Sequence, residues 1–310
     1  MALAVPQQDY FFHGCRLRSA IPLASLAPWP ASAPESASVV TLTAGEAPHG
    51  LDDPIWSSPF IQIARDKSVL VNIAAVARFY LPNGRDIVVQ PAPGAQTYEI
   101  ESIFLTTVAG LLLHQRSTLP LQASCIALDG RAIAISGPAG YGKSALAAAL
   151  VQRGAALLAD DLCVLDLSQP TPHVASGSAH CRIWPDVMEH LGITKEQRLP
   201  TRLNHGKHAV ALPACPPGGY PLTHLVRIAM FTTSVTPELV PLHGPGSVLP
   251  ARRLVFQRDI GHLLGNASIE FRALTALASR VRIFSLRRTQ PLQHLDPCVD
   301  LILNAASGEA

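Results

Sequence analysis

Apolar and polar positions change their rhythm along the chain, and the changes mark out its parts. Residues 1–50 are short apolar pieces punctuated by Pro22, Pro28, Pro30 and Pro34, a texture of loops with brief edge strands. Between 60 and 90 the runs Phe60–Ile63, Val69–Ile73, Ala77–Leu81 and Ile87–Val89 read as strands. The last two face each other across Pro82-Asn83-Gly84-Arg85, where Asn-Gly signals a hairpin. Pro91-Ala92-Pro93-Gly94 punctuates the end of this β-rich part. From Ile100 to Gln115 the apolar residues Ile103, Phe104, Val108, Leu111 and Leu112 recur at helical spacing, which predicts one helix bridging two parts.

From Leu121 to Asp166 the pattern is strand, turn at Asp129-Gly130, strand, glycine-rich loop, helix, Gly154 as a cap, and strand again. Further on, 184–191 and 269–278 read as helices, and 225–231 and 282–286 as strands. The reading is therefore α/β, with a smaller β-rich N-terminal domain over 1–98 and a larger domain over 99–310.

Composition narrows the class without changing this picture. In 310 residues, 48% are apolar and 15% charged, which suits a compact globular protein. The formal net charge is +2 and no Lys/Arg run exceeds a pair (Arg252-Arg253, Arg287-Arg288), so no nucleic-acid partner is indicated. Six cysteines lie far apart with no C-x-x-C pair, which fits reduced thiols. The N-terminus lacks a basic start followed by an apolar stretch, and the run from Val108 to Leu113 is too short for a bilayer. A cytoplasmic protein without membrane partners is the expectation.

The chemistry concentrates at Gly137-Pro138-Ala139-Gly140-Tyr141-Gly142-Lys143-Ser144, a complete G-x-x-x-x-G-K-S phosphate-binding loop (P-loop). An apolar strand, Ala132–Ile135, leads in; a helix-forming run from Ala145 leads out. Glycines allow backbone N–H groups to turn inward around anionic oxygens, and the helix N-terminus adds its positive dipole end. Lys143 can then reach the phosphates of ATP, and the Ser144 hydroxyl can ligate Mg²⁺.

A second feature follows after one helix and one short strand: Leu157-Leu158-Ala159-Asp160-Asp161. An apolar strand ending in carboxylates places an acidic group beside the metal in phosphate-loop enzymes. Both carboxylates are expected at the carboxyl end of a neighbouring strand. Side chains alternate across a strand, so Asp160 and Asp161 take different roles: one can hold or orient the Mg²⁺ shell, and the other can accept a proton from an attacking hydroxyl. The chain has no Asn-Lys-x-Asp, no Leu-Ser-Gly-Gly-Gln and no His-Arg-Asp/Asp-Phe-Gly set. That leaves a small phosphate-loop kinase or an ATPase of unfamiliar kind.

The stretch from Leu121 to Leu165, with Arg153-Gly154-Ala155-Ala156-Leu157-Leu158-Ala159-Asp160-Asp161 after the loop, resembles the catalytic domain of bacterial HPr kinase/phosphorylase. The whole chain, including Leu112-Leu113-His114-Gln115-Arg116, looks more like the HPr-kinase-related proteins of lasso-peptide systems. That resemblance implies an ATP- and Mg²⁺-dependent kinase that phosphorylates a serine of a precursor peptide or small protein. It also implies that Asp161 is the general base and that the protein forms a homo-oligomer, since HPr kinases form ring-like hexamers. The family's histidine upstream of the loop falls at Gln122, which carries no titratable proton. Its glutamate Mg²⁺ ligand, by the Arg182 match, falls near His180. The segment from Cys181 to Asp186 lacks the glycine-rich signature of true HPr kinases. These departures argue against reverse phosphorolysis and against HPr as the acceptor.

Arg182 and Lys207 are candidates for contact with the triphosphate or acceptor, against the plainer reading of solvated charges. His205 and His208 flank Lys207 without acidic or cysteine partners, which does not make a zinc site. Trp184 reads as a packing residue rather than an adenine platform. Two rivals to the kinase reading stay open: a nucleotide-gated regulatory module without phosphoryl transfer, and a bifunctional kinase/phosphorylase.

Overall fold

The computed structural model describes residues 7–33, 37–178, 180–200, 206–230, 236–243, 252–289 and 295–308. Pro34, His205 and Phe231 fall outside the described residues. The protein is a mixed α/β structure with several sheets and few helices, and it divides into two compact units. Met1–Thr118 and Gln257–Asn266 form one; Leu119–Phe256 and Ala267–Ala310 form the other.

The first unit is built on eight strands: β1 (Gln8–Phe12), β2 (Cys15–Ser19), β3 (Val39–Ala44), β4 (Pro54–Ser57), β5 (Ile61–Ala64), β6 (Val69–Ile73), β7 (Ala77–Leu81) and β8 (Asp86–Pro91). They lie in the order β1-β2-β3-β8-β7-β6-β5-β4. The expected hairpin is β7–β8. Its turn is held by Asn83 Oδ1, which accepts from the Arg85 and Asp86 amides at 2.9 and 3.0 Å, and Gly84 supplies a φ of +72°. The expectation of edge strands before residue 50 needs correcting. β2 and β3 are interior, with Leu17, Val40 and Leu42 fully buried. Pro22, Pro28 and Pro30 lie in the connection between them, so no ladder hydrogen bond is lost within either strand.

The predicted helix begins earlier than expected and is not uniform: α1 (Thr97–Ile103), a π-helical stretch (Phe104–Val108) and α2 (Ala109–Gln115). Within it the Thr106 hydroxyl donates to the Ser102 carbonyl at 2.7 Å, a back-bond that competes with the helical ladder. The whole segment groups with the first unit, so the division read from sequence, between 98 and 99, falls inside that unit.

The second unit holds β9 (Leu119–Leu121), β10 (Ala123–Leu128), β11 (Arg131–Ser136), α3 (Lys143–Gln152), β12 (Ala156–Ala159), β13 (Cys163–Asp166), β14 (His173–Ala175) and β15 (His180–Ile183). It continues through α4 (Pro185–His190), β16 (Arg198–Leu199), β17 (His208–Ala211), β18 (Gly219–Met230) and β19 (Glu238–Leu242). α5 (Arg258–Leu263) returns to the first unit, and α6 (Ala267–Arg280), β20 (Arg282–Arg288) and α7 (Leu295–Ser307) complete the second. α4 starts on Pro185, whose fixed φ and missing N–H suit a first helical position.

β18 is the spine of this unit. Its first residues pair with β14, and its remainder runs parallel to both β11 and β20. β10 is antiparallel to β11 through the Asp129-Gly130 turn and antiparallel to β12 on its other side. β12 therefore runs parallel to β11 with one strand between them, where the sequence suggested an immediate neighbour. The tight β10–β11 hairpin occupies that place. All four parallel strands end at the same edge of the sheet.

α3 is buried along its length against this sheet and α7, with Leu146 and Leu150 fully inaccessible and Ile126, Ile135, Val226, Leu286 and Ile302 in the same core. Such a helix is apolar all round, as the Ala-Leu-Ala-Ala-Ala-Leu-Val run requires. A second core, around Leu158, Leu225, Leu274 and Leu277, seats α6. The cysteines are all free; Cys125, Cys163, Cys181 and Cys298 are buried, whereas Cys15 and Cys215 are half-buried. No described helix is long and apolar enough to cross a membrane.

Replacing Leu146 by Ala removes a fully buried side chain from the helix that carries the loop. It is expected to destabilise the second unit by about 2–5 kcal/mol, measured as a lowered midpoint in urea unfolding.

Candidate functional site

The glycine-rich loop joins the carboxyl end of β11 to α3, and its backbone explains its glycines. Gly137 has φ +148°, and a Cβ there would come within 3.3 Å of the Ile228 carbonyl oxygen on β18. Gly142 has φ +86° and is the N-cap of α3, with no side chain capping the first turn. Helical N–H groups without intrahelical partners thus begin at Lys143. Lys143 is buried, and its Nζ donates to the carbonyls of Gly137 and Pro138 at 2.9 and 3.2 Å, folding the side chain back over the loop. Burial pulls its pKa below the usual lysine value, and the charges of Asp161 and Asp160 oppose that pull.

Asp160 is the buried centre of the site. Its Oδ1 accepts from the Ser144 hydroxyl at 2.9 Å and from the Ser124 hydroxyl, and its Oδ2 accepts from the Arg182 backbone amide at 3.1 Å. Burial, with the neighbouring Asp161 charge added, raises its pKa; the hydrogen bonds pull the other way. Asp161 leaves the strand with φ +64°, and this left-handed turn separates the two carboxylates. Simple alternation along an extended strand, expected from sequence, is not the cause.

The Asp161 carboxylate is 36% exposed and ion-paired with Arg182. Burial would raise its pKa, but Arg182, then Lys207 and Lys143, together hold it below the usual carboxylate range. It is ionised at neutral pH, able to accept a hydrogen bond from a hydroxyl. It is a weak base.

These groups open on one cavity of about 640 Å³. Of the residues singled out in sequence, Ala139, Gly140, Tyr141, Gly142, Lys143, Ser144, Ala145, Asp161, Gln122, Arg182 and Lys207 line it. Trp184 lines it as well, 42% exposed, with Lys207 Nζ 5.8 Å from its ring centroid. Gly137 and Pro138 contribute carbonyls behind the loop, and Asp160 acts through Ser144 and the Arg182 amide.

His180 stands on β15 two residues before Arg182 but is not among the lining residues. Its Nδ1 is buried without a hydrogen-bond partner among the described residues, and burial pulls its pKa down to about 4. It is neutral at pH 7. Two contributors escaped the sequence reading. Ser124 is a fully buried hydroxyl in β10, legible only as a polar residue inside an apolar run; Arg288, at the end of β20, looked like half of a charged pair.

The donor set fits a hard cation. Ser144 and Asp160 present oxygens 2.9 Å apart beside the loop, and the carboxyl oxygens of Asp160 take three hydrogen bonds there. Among the described residues no group of three His, Cys, Asp or Glu side chains could hold a metal alone. Mg²⁺ commonly takes few protein ligands and completes its shell with phosphate oxygens and water.

No protein-family model matches the chain, and none of the curated proteins matches it. Among solved structures, the HPr(Ser) kinase/phosphatase from Coxiella burnetii is similar at 14% identity and a TM-score of 0.32, covering 61% of this chain and 97% of that one.

His13 in the first unit is also held near pKa 4 by burial, like His180. A histidine whose folded pKa lies below its unfolded value of 6.5 contributes stability that is lost as pH falls from about 6.5 towards 4. Melting temperature should drop over that window, and His180→Leu should flatten part of the drop in the second unit.

Proposed function

We propose that this protein is an ATP- and Mg²⁺-dependent phosphotransferase that moves the γ-phosphoryl group to a hydroxyl, with a serine of a peptide or small protein as acceptor. The observation that carries this reading is the Ser144–Asp160 hydrogen bond at the N-terminus of α3, with the Asp161 carboxylate open to the same cavity as Lys143. Three roles that phosphoryl transfer needs converge there: an anion cradle, a hard-oxygen pair and an ionised carboxylate.

In this mechanism the first-turn amides of α3 and the Lys143 ammonium bind the phosphate oxygens and offset charge as it develops on them. Bound Mg²⁺ would supply charge neutralisation to the phosphate oxygens. Ser144 would hold it, with Asp160 fixing the Ser144 hydroxyl. Asp161 orients the acceptor hydroxyl and takes its proton as the oxygen–phosphorus bond forms and the bond to the ADP oxygen breaks. A weak base suffices, because in a loose transition state little charge builds on the attacking oxygen before the leaving group departs. Arg182, paired with Asp161, holds that carboxylate in position and keeps it ionised.

The acceptor is the finer part of the proposal. A precursor peptide of the lasso type rests on the sequence resemblance alone, and Gln122 at the cavity wall, whose amide carries no titratable proton, supports one-way transfer.

Asp161→Asn should lower transfer by about 10²–10⁴-fold while nucleotide affinity stays within a few-fold of wild type. Mass spectrometry of a serine peptide incubated with ATP and Mg²⁺ reads the first quantity, and titration calorimetry the second. Equal turnover by Asp161→Asn rules out the general-base role. Lys143→Ala should lose binding and transfer together.

A further inference from the structure

Arg288 closes β20, and its position is set by the sheet. Leu286, two residues earlier and so on the same face of the strand, is buried in the core that seats α3. Arg288 continues that row just where the apolar core gives way to the loop. β20 runs parallel to β18, pairing Arg288 with Met230, and β18 runs parallel to β11. All three strands deliver their carboxyl ends to the cavity, and Arg288 and Met230 both line it.

The guanidinium lies against the loop itself: its Nη2 is 3.6 Å from where a Cβ on Gly142 would sit. Arg288 is 4% exposed. Nε donates to the Thr289 carbonyl at 3.3 Å, but Nη1 is buried with no hydrogen-bond partner among the described residues. Its neighbour Arg287 is different, exposed and paired with Glu238 at 2.7 Å. Among the described residues no carboxylate pairs with Arg288. The Cys298 thiol on α7 borders it, and burial holds that thiol above its usual pKa, so it stays neutral despite the guanidinium's pull. A buried cation without a counter-charge is costly to keep unless an anion arrives to match it.

We propose that Arg288 is a second cationic ligand for the polyphosphate group, forking onto phosphate oxygens at the N-terminus of α3 opposite Lys143. A planar guanidinium suits this task, because two parallel N–H bonds match the spacing of phosphoryl oxygens. The inference rests on the reading of residues 137–144 as a phosphate-binding loop and adds to it a residue about 140 positions downstream that no loop motif contains.

Calorimetric titration of the full chain with Mg-ATP, and separately with inorganic tripolyphosphate, tests it. Wild type, Arg288→Gln, Arg288→Lys and Lys143→Ala are compared, each with its melting temperature with and without ligand. Arg288→Gln should weaken both ligands at least tenfold and shrink the ligand-induced rise in melting temperature, while the ligand-free melting temperature does not fall. Arg288→Lys should recover part of the affinity by keeping the charge. If Arg288→Gln binds both ligands as wild type does while Lys143→Ala does not, the Arg288 assignment is overturned and the loop reading stands. If wild type binds neither ligand, the loop reading itself fails. If both Arg288 variants lose ligand-free stability or fail to fold, the residue is structural and the proposal is likewise overturned.

Discussion

A carboxylate taken out of water must be matched by donors, and Asp160 gathers its donors from three separate elements: Ser144 in the first turn of α3, Ser124 in β10 and the backbone amide of Arg182 in β15. Leaving any of those hydroxyls or the amide without its acceptor exposes a buried polar group to the full desolvation penalty, about 1–3 kcal/mol. The loop, the helix and the strand that carries Arg182 are therefore registered to one another through a single side chain. That registration fixes where Arg182 stands, and Arg182 fixes Asp161. The site's geometry is inherited from a buried carboxyl group that does not line the cavity.

Electrostatics then divides the labour between adjacent residues. Asp160 is deep, its pKa raised by burial and by its neighbour's charge; Asp161 is half-exposed, and three cations bring its pKa down. One left-handed residue produces the difference, since φ +64° at Asp161 turns its side chain out of the path of β12 and toward the cavity. The cost of that conformation for a residue with a Cβ is of order 1–2 kcal/mol, and the Arg182 ion pair offsets part of it.

Much of this was legible in the sequence, for reasons that are local. Glycines at 137, 140 and 142 announce left-handed turns, Asn83-Gly84 and Asp129-Gly130 announce hairpins, and the Ala-rich run after Ser144 announces a buried helix. The strand through Ile87 and the helix through Leu274 follow from periodicity alone. What was not legible is pairing over distance. Nothing in residues 1–50 reveals that β3 inserts between β2 and β8, because one of its two partners, β8, lies more than forty residues further along the chain. Nothing around Asp160 reveals that β10 will separate β12 from β11. Ser124 and Arg288 escaped for the same reason: each looks ordinary in its own window and acquires meaning only from what folding brings beside it.

The order of strands in space differs from their order along the chain, and this has a temporal side. β11, β18 and β20 are adjacent, yet they come from residues 131–136, 219–230 and 282–288. While the polypeptide emerges from the ribosome, the local hairpin β10–β11 is synthesised early, but the wall carrying Met230 and Arg288 arrives only after most of the chain has been made. The loop must wait, glycine-rich and without its flanking strand, through that interval. A nascent chain stalled before β20 would thus present the letters of the motif without the surface that gives them a shape.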